Sequence, residues 1–160
     1  MEKTTLGRTG LEVSAIGLGC GGFSRLGMFS KGIDNASRIV RYSYENGINF
    51  FDTAYLYGTQ PAVRKGLEGI PRDRYIISSK FIYATPDKII KQENELEKCI
   101  DECLKDLKTD YIDIFSLHGV LPQVYKKVRD RFYPELVKMK EKGKIRFIGL
   151  TELFGLDNSH

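Results

Sequence analysis

Short apolar runs recur along the chain: AIGLGC (15–20), INFFD (48–52), YIISSK (75–80), YIDIFSLH (111–118) and IRFIGLTE (145–152). Each predicts a strand, and the segments between them carry apolar residues at helical spacing. In DNASRIVRYSYEN (34–46), Ala36, Ile39, Val40 and Tyr44 mark one face, Asp34 is the N-cap candidate and Gly47 the stop. In 93–107, Leu96, Ile100, Cys103, Leu104 and Leu107 form a stripe opposite acids and lysines. A shorter helix is expected from Pro61, since proline suits a first turn. Another is expected from Phe132 to Lys142, stopping at Gly143. The opening TTLGRTGLEVS reads as a small hairpin. GVLPQVYKKVRDR (119–131) reads as one long solvated connection.

The order is therefore a hairpin, four βα units and a fifth strand. The spacing of strand starts, about 30–35 residues, is that of a βα unit. Strands alternating with helices imply an α/β fold with a parallel sheet and right-handed crossovers. The 160 residues fit one domain. With 41% hydrophobic and 29% charged residues the chain has a globular composition. The net charge of +4 comes from cations scattered among 21 acids, which argues against a nucleic-acid partner. No apolar run approaches the roughly 18–20 residues of a membrane span, and no apolar signal segment opens the chain. Cys99 and Cys103 lie four apart without a nearby histidine or further cysteine. They read as small hydrophobes in a reducing cytoplasm, and no metal site is expected.

The strand ends carry the chemistry. Asp52, Lys80 and His118 end the second, third and fourth of these strands, at the side where parallel α/β folds bind ligands. Alternation puts Lys80 on the face of Ile76 and Ser78, and His118 on that of Ile112, Ile114 and Ser116. Within five residues of Asp52 the chain offers two tyrosines, Tyr55 and Tyr57. A phenol, with a pKa near 10, is a weak acid at neutral pH, and a lysine ammonium beside it would lower that pKa. An aspartate would hold the lysine charged, and a histidine could hydrogen-bond a substrate carbonyl. Together they would make a tyrosine the general acid for a carbonyl oxygen. Reduction would also need a hydride that no side chain supplies, so a nicotinamide cofactor is implied.

DTAYLYG, SSK, LHG and the opening LGRTGLEVSAIGLG, together covering about Leu6 to Thr151, resemble the aldo-keto reductase superfamily. That resemblance implies the N-terminal five strands and four helices of a (β/α)8 TIM barrel, preceded by a hairpin. It implies an oxidoreductase that interconverts aldehydes or ketones and alcohols, with NADP(H) favoured over NAD(H) and no metal. Its catalytic positions fall on Asp52, Lys80 and His118, and its tyrosine pattern selects Tyr57, leaving Tyr55 as packing or loop surface. Its cofactor positions fall on Gly22, Phe23, Asp52, Thr151 and Glu152. Two departures stand out: Thr151-Glu152 replaces a common Ser-Asn pair, and Thr59-Gln60 follows Gly58 where Ser-Glu is common.

GLGCGG (17–22) also matches a dinucleotide-binding glycine loop, but that loop must open a helix, and helical periodicity is expected only near Asn35. A phosphoacceptor domain of doubly wound type would need acids after the first strand, where Cys20-Gly21-Gly22 stands. A TIM barrel needs eight strands, so residues 1–160 read as a partial domain lacking roughly the last three βα units. Asp157, Asn158 and Ser159 read as the N-cap of a further helix. Such a fragment is expected to self-associate through its open edges, to leave inward residues such as Ile112 and Ile114 without an opposite wall, and to be inactive alone. A non-catalytic scaffold derived from the barrel is the alternative function.

Overall fold

The computed structural model describes residues 1–153; Asp157, Asn158 and Ser159 lie outside the described residues. The chain opens with an antiparallel hairpin of β1 (Lys3–Thr5) and β2 (Glu12–Ser14). Five parallel strands follow: β3 (Leu18–Gly19), β4 (Phe50–Asp52), β5 (Ile76–Ile82), β6 (Ile112–Val120) and β7 (Ile145–Glu152). They pair in chain order, β3-β4-β5-β6-β7, with one helix in each crossover. The helices are α1 (Met28–Glu45), α2 (Gln60–Gly66), α3 (Glu93–Leu107) and α4 (Tyr125–Glu141). A doubly wound sheet would reverse its strand order about its first strand. Here β3 is an edge strand, which removes the dinucleotide-loop reading of residues 17–22.

The principal core lies between the outer sheet face and the helices. Phe51, Ile77, Phe81 and Phe115 meet Val40, Val63, Leu96, Ile100, Phe132 and Leu136 there. A second cluster closes the lower inner face, where Leu11 and Val13 of the hairpin pack with Ile76, Phe50, Ile114 and Phe147. Asn49 stitches hairpin to sheet: its Oδ1 accepts from Ser14 N at 2.6 Å, and its Nδ2 donates to Glu12 O at 3.0 Å. The expected exposure of inward residues is therefore corrected. Ile112 is fully buried within the principal core, and Ile114 is half-buried against the hairpin, which supplies part of the missing wall.

Two helix boundaries differ from expectation. Helix α1 begins at Met28 rather than near Asn35, and it is broken at Gly32, whose φ of 81° is left-handed. Asp34 follows that break and does not cap; its carboxylate meets Lys65 Nζ at 2.6 Å. Helix α4 starts at Tyr125, so most of the expected 119–131 loop is a 3-10 turn (Pro122–Val124) and helix. Val128, Phe132, Leu136 and Met139 form its buried stripe, and Val128, alone among charged residues, was the overlooked signal.

At the lower end of β6, Asp113 is fully buried. Arg72 Nη2 donates to its Oδ2 at 2.6 Å, Arg146 Nη1 to its Oδ1 at 2.7 Å, and Ile77 N to Oδ2 at 2.9 Å. Among the described residues no helix is long and apolar enough to cross a membrane.

Candidate active site

Asp52, Lys80 and His118 all reach the same upper rim. The register pairs Asp52 with Ser78, Lys80 with Ser116 and Ile82 with His118, so alternation sends all three charged tips to the inner face. Lys80 is buried, with 7% of its side chain exposed, yet its ammonium is fully provided for. It donates to both oxygens of Asp52 at 2.7 Å and to Thr53 O at 2.8 Å. Three donors meet three acceptors, which is what a buried lysine requires.

Just beyond β4 the chain makes a 3-10 turn over Tyr55–Tyr57, and Gly58 leaves it with a left-handed φ of 67°. This turn separates the two tyrosines. Tyr55 is exposed and faces Glu102 of α3, and that carboxylate, followed by burial, pushes the phenol up to about 12. Tyr57 turns inward. Its hydroxyl lies 3.4 Å from His118 Nε2, and the two rings meet edge to face with centroids 5.6 Å apart. Lys80 Nζ lies 5.2 Å from the centroid of the Tyr57 ring. The structure thus brings Asp52, Lys80, Tyr57 and His118 into one cluster.

The electrostatics correct one expectation. Tyr57 is not pulled below the ordinary phenol value; burial and the Asp52 carboxylate hold it above. The reason is local: the Lys80 charge is spent on Asp52 at 2.7 Å, so little of it remains to favour a phenolate. His118 is held below its ordinary value, first by burial and then by the Lys80 charge. At neutral pH the rim therefore carries a protonated phenol beside a neutral imidazole. Beneath it Cys20 is fully buried, and burial with Asp52 pushes its thiol up to about 12, so it is chemically quiet.

The cofactor candidates divide. Gly22 and Phe23 are exposed at the rim, and nothing lies within 4 Å of where a Gly22 side chain would begin. Thr151 Oγ1 accepts from Gly119 N at 3.0 Å, and a hydroxyl that accepts can still donate its own proton. Glu152 faces a cavity of about 950 Å³ that also contains His118 and has aliphatic walls including Leu56, Ile82, Ile89, Leu121 and Leu153.

Several residues that matter here were given no role from the sequence, Thr59-Gln60 having stood out only as a departure from the family pattern. Thr53 and Thr59, both fully buried, share a hydrogen bond of 3.1 Å that closes the tyrosine turn. Gln60 Nε2 donates to Ser79 Oγ at 2.9 Å and ties α2 to β5. Thr59-Gln60 thus anchors this loop from within. The available signal was polarity without charge, TQ beside Pro61, which alone does not distinguish an anchor from a surface turn.

Comparison with known proteins gives the family. The model of the aldo/keto reductase family matches residues 15–154. The chain belongs to this family. L-galactose dehydrogenase of Arabidopsis thaliana is 37% identical over 160 residues, covering 96% of this chain and 49% of that protein. Probable aldo-keto reductase 1 of Glycine max is 34% identical, covering 95% of this chain and 45% of its own length. An aldo-keto reductase from Bacillus halodurans, solved in its holo form, matches with a TM-score of 0.78 at 28% identity, over 96% of this chain and 51% of that one. The chain thus spans about half the length of the curated relatives it matches. Its parallel sheet resembles the N-terminal part of the aldo-keto reductase barrel, and the barrel is not closed.

Proposed function

We propose that this chain is the catalytic N-terminal part of an NAD(P)H-dependent carbonyl reductase, with NADP(H) the favoured cofactor and an aldehyde, ketone or alcohol as substrate. The observation that carries the reading is the buried Lys80–Asp52 pair set beside Tyr57 and His118 on one strand-end rim. The three buried thiols, Cys20, Cys99 and Cys103, suit a reducing cytoplasm, where we place the protein.

The residues present fit a nicotinamide. The unpacked Phe23 ring offers an apolar face, the open space at Gly22 admits close approach, and the Thr151 hydroxyl can donate to a carboxamide oxygen. Glu152 can accept from the carboxamide nitrogen but cannot donate. When bound there, the cofactor supplies the hydride. The chain's own groups do the rest. Tyr57 gives its hydroxyl proton to the carbonyl oxygen of the substrate, and its raised pKa keeps that proton available across neutral pH. His118, neutral, orients the same oxygen through Nε2. Asp52 holds Lys80 beside the Tyr57 ring, so the paired ammonium and carboxylate keep that side of the phenol fixed and dry. The aliphatic cavity next to His118 takes the body of the substrate.

The remaining βα units of the barrel complete the site in this reading, so the test uses the complete barrel. NADPH-dependent reduction of a panel of aldehydes should fall by roughly 10²–10⁴ in Tyr57→Phe, the worth of a general acid. Tyr55→Phe should change it by less than about twofold, since that hydroxyl faces Glu102. Equal loss in the two variants would overturn the assignment.

A further inference from the structure

The only hydrogen-bond partner of the Tyr57 hydroxyl among the described residues is His118, at a long 3.4 Å. A bond that long fixes a ring weakly, so packing must hold it. Against that ring lies a residue without a side chain. A Cβ built on Gly21 would fall 2.5 Å from Tyr57 Cε2, 2.7 Å from Cζ and 2.9 Å from Cδ2. Real side chains do not approach so closely. Gly21 is not among the glycines with a left-handed φ, so its backbone would accept any residue. The requirement for glycine there comes from the tyrosine ring, which supplies all three of the nearest atoms.

The same loop holds Tyr57 a second way. Arg25 Nη1 donates to Tyr57 O at 3.2 Å. Arg25 and Leu26 have φ of 44° and 58°, a left-handed pair that non-glycine residues adopt at an energetic cost. The loop between β3 and α1 therefore touches the tyrosine by ring, from Gly21 within GLGCGG, and by backbone, from Arg25 just beyond it.

We propose that this loop is the seat of Tyr57 and that Gly21 is a positioning residue, its missing side chain admitting the phenol ring to the place where the hydroxyl meets His118. The proposal deepens the reductase reading and rests on it only for its kinetic consequence. Gly21→Ala shifts the ring rather than the fold, because the obstructing atoms are the far end of a half-buried side chain. Gly19→Ala is the control: nothing lies within 4 Å of its Cβ, and its φ is ordinary.

The deciding measurement is the titration of Tyr57 in the 160-residue chain carrying ¹³Cζ-tyrosine, with the resonance assigned by its loss in Tyr57→Phe. In the parent, burial should keep the titration above the ordinary value of about 10. Gly21→Ala should bring it down toward 10 as the ring moves into solvent, while Gly19→Ala leaves it in place. A parent Tyr57 titrating at the ordinary value, or an unchanged titration in Gly21→Ala, would overturn the proposal. In the complete barrel, Gly21→Ala should lower kcat by about 10²-fold, the cost of a misplacement near 1 Å, with KM changed less than about twofold. In a Tyr57→Phe background it should lower kcat no further. A shifted titration with unchanged kcat would leave Gly21 as the seat of the ring and remove Tyr57 from the proton-donor role, so the two readings fail separately.

Discussion

Replacing Lys80 by methionine removes a buried ammonium but keeps most of its stem. Thr53 O would lose its partner, and leaving a buried carbonyl unpaired costs about 1–3 kcal/mol. Asp52 would lose its counter-ion, and removing one member of a buried pair typically costs about 3–5 kcal/mol. That figure is an upper limit here, because 38% of the Asp52 side chain is exposed and water can take up part of the charge. The expected loss is therefore about 2–4 kcal/mol, read as a fall in the urea midpoint at constant m-value. Adding Asp52→Asn removes the stranded charge, so the double variant should be less destabilised than the sum of the two singles by about 1 kcal/mol or more. The chemistry should move as well. Asp52 raises the Tyr57 phenol, and without Lys80 beside it the Tyr57 titration should move further up. A loss under about 1 kcal/mol, or strict additivity with Asp52→Asn, would refute the claim that Lys80 and Asp52 form one buried, mutually dependent unit.

Asp113→Ala should destabilise by about 2–4 kcal/mol in urea, because it leaves Ile77 N without its acceptor and Arg72 without its counter-ion, while Arg146 is half exposed and water can take up its charge; a loss below about 1 kcal/mol would contradict a structural role for buried Asp113. His118, whose folded pKa lies below its ordinary value near 6.5, contributes stability that is present above about pH 6.5 and lost as pH falls through the folded pKa. The urea midpoint should therefore drop from pH 7.5 to pH 5 more steeply in the parent than in His118→Phe, and parallel profiles would show that this imidazole does not stay neutral on folding. Among the described residues β3 and β7 each have a strand on one side only, so we expect the 160-residue chain to sediment as more than a monomer; a monomer at micromolar concentration would show that these edges are protected.

Local pattern determined much of this protein. Period-two apolar runs placed all five parallel strands, and the stripe Leu96, Ile100, Cys103, Leu107 placed α3 without error at either end. The order of βα units implied a parallel sheet, and charged residues at three successive strand ends pointed to its upper rim. Those readings succeed because alternation and helical spacing are properties of neighbouring residues. What depends on distant contacts was decided only in the tertiary structure. The Tyr55–Tyr57 turn sends one phenol toward Glu102 and the other to His118; the family's tyrosine pattern selects Tyr57, but the physical difference between the two comes from the surrounding strands and helix. The start of α4 was obscured because its stripe depends on Val128 meeting a core built from α3 and the sheet. The Tyr57 pKa went up rather than down because the distance between Lys80 and Asp52 consumes the charge that the composition of the site had seemed to offer. The need for glycine at Gly21 comes from a ring 36 residues further along the chain, which folding places where a side chain would otherwise stand.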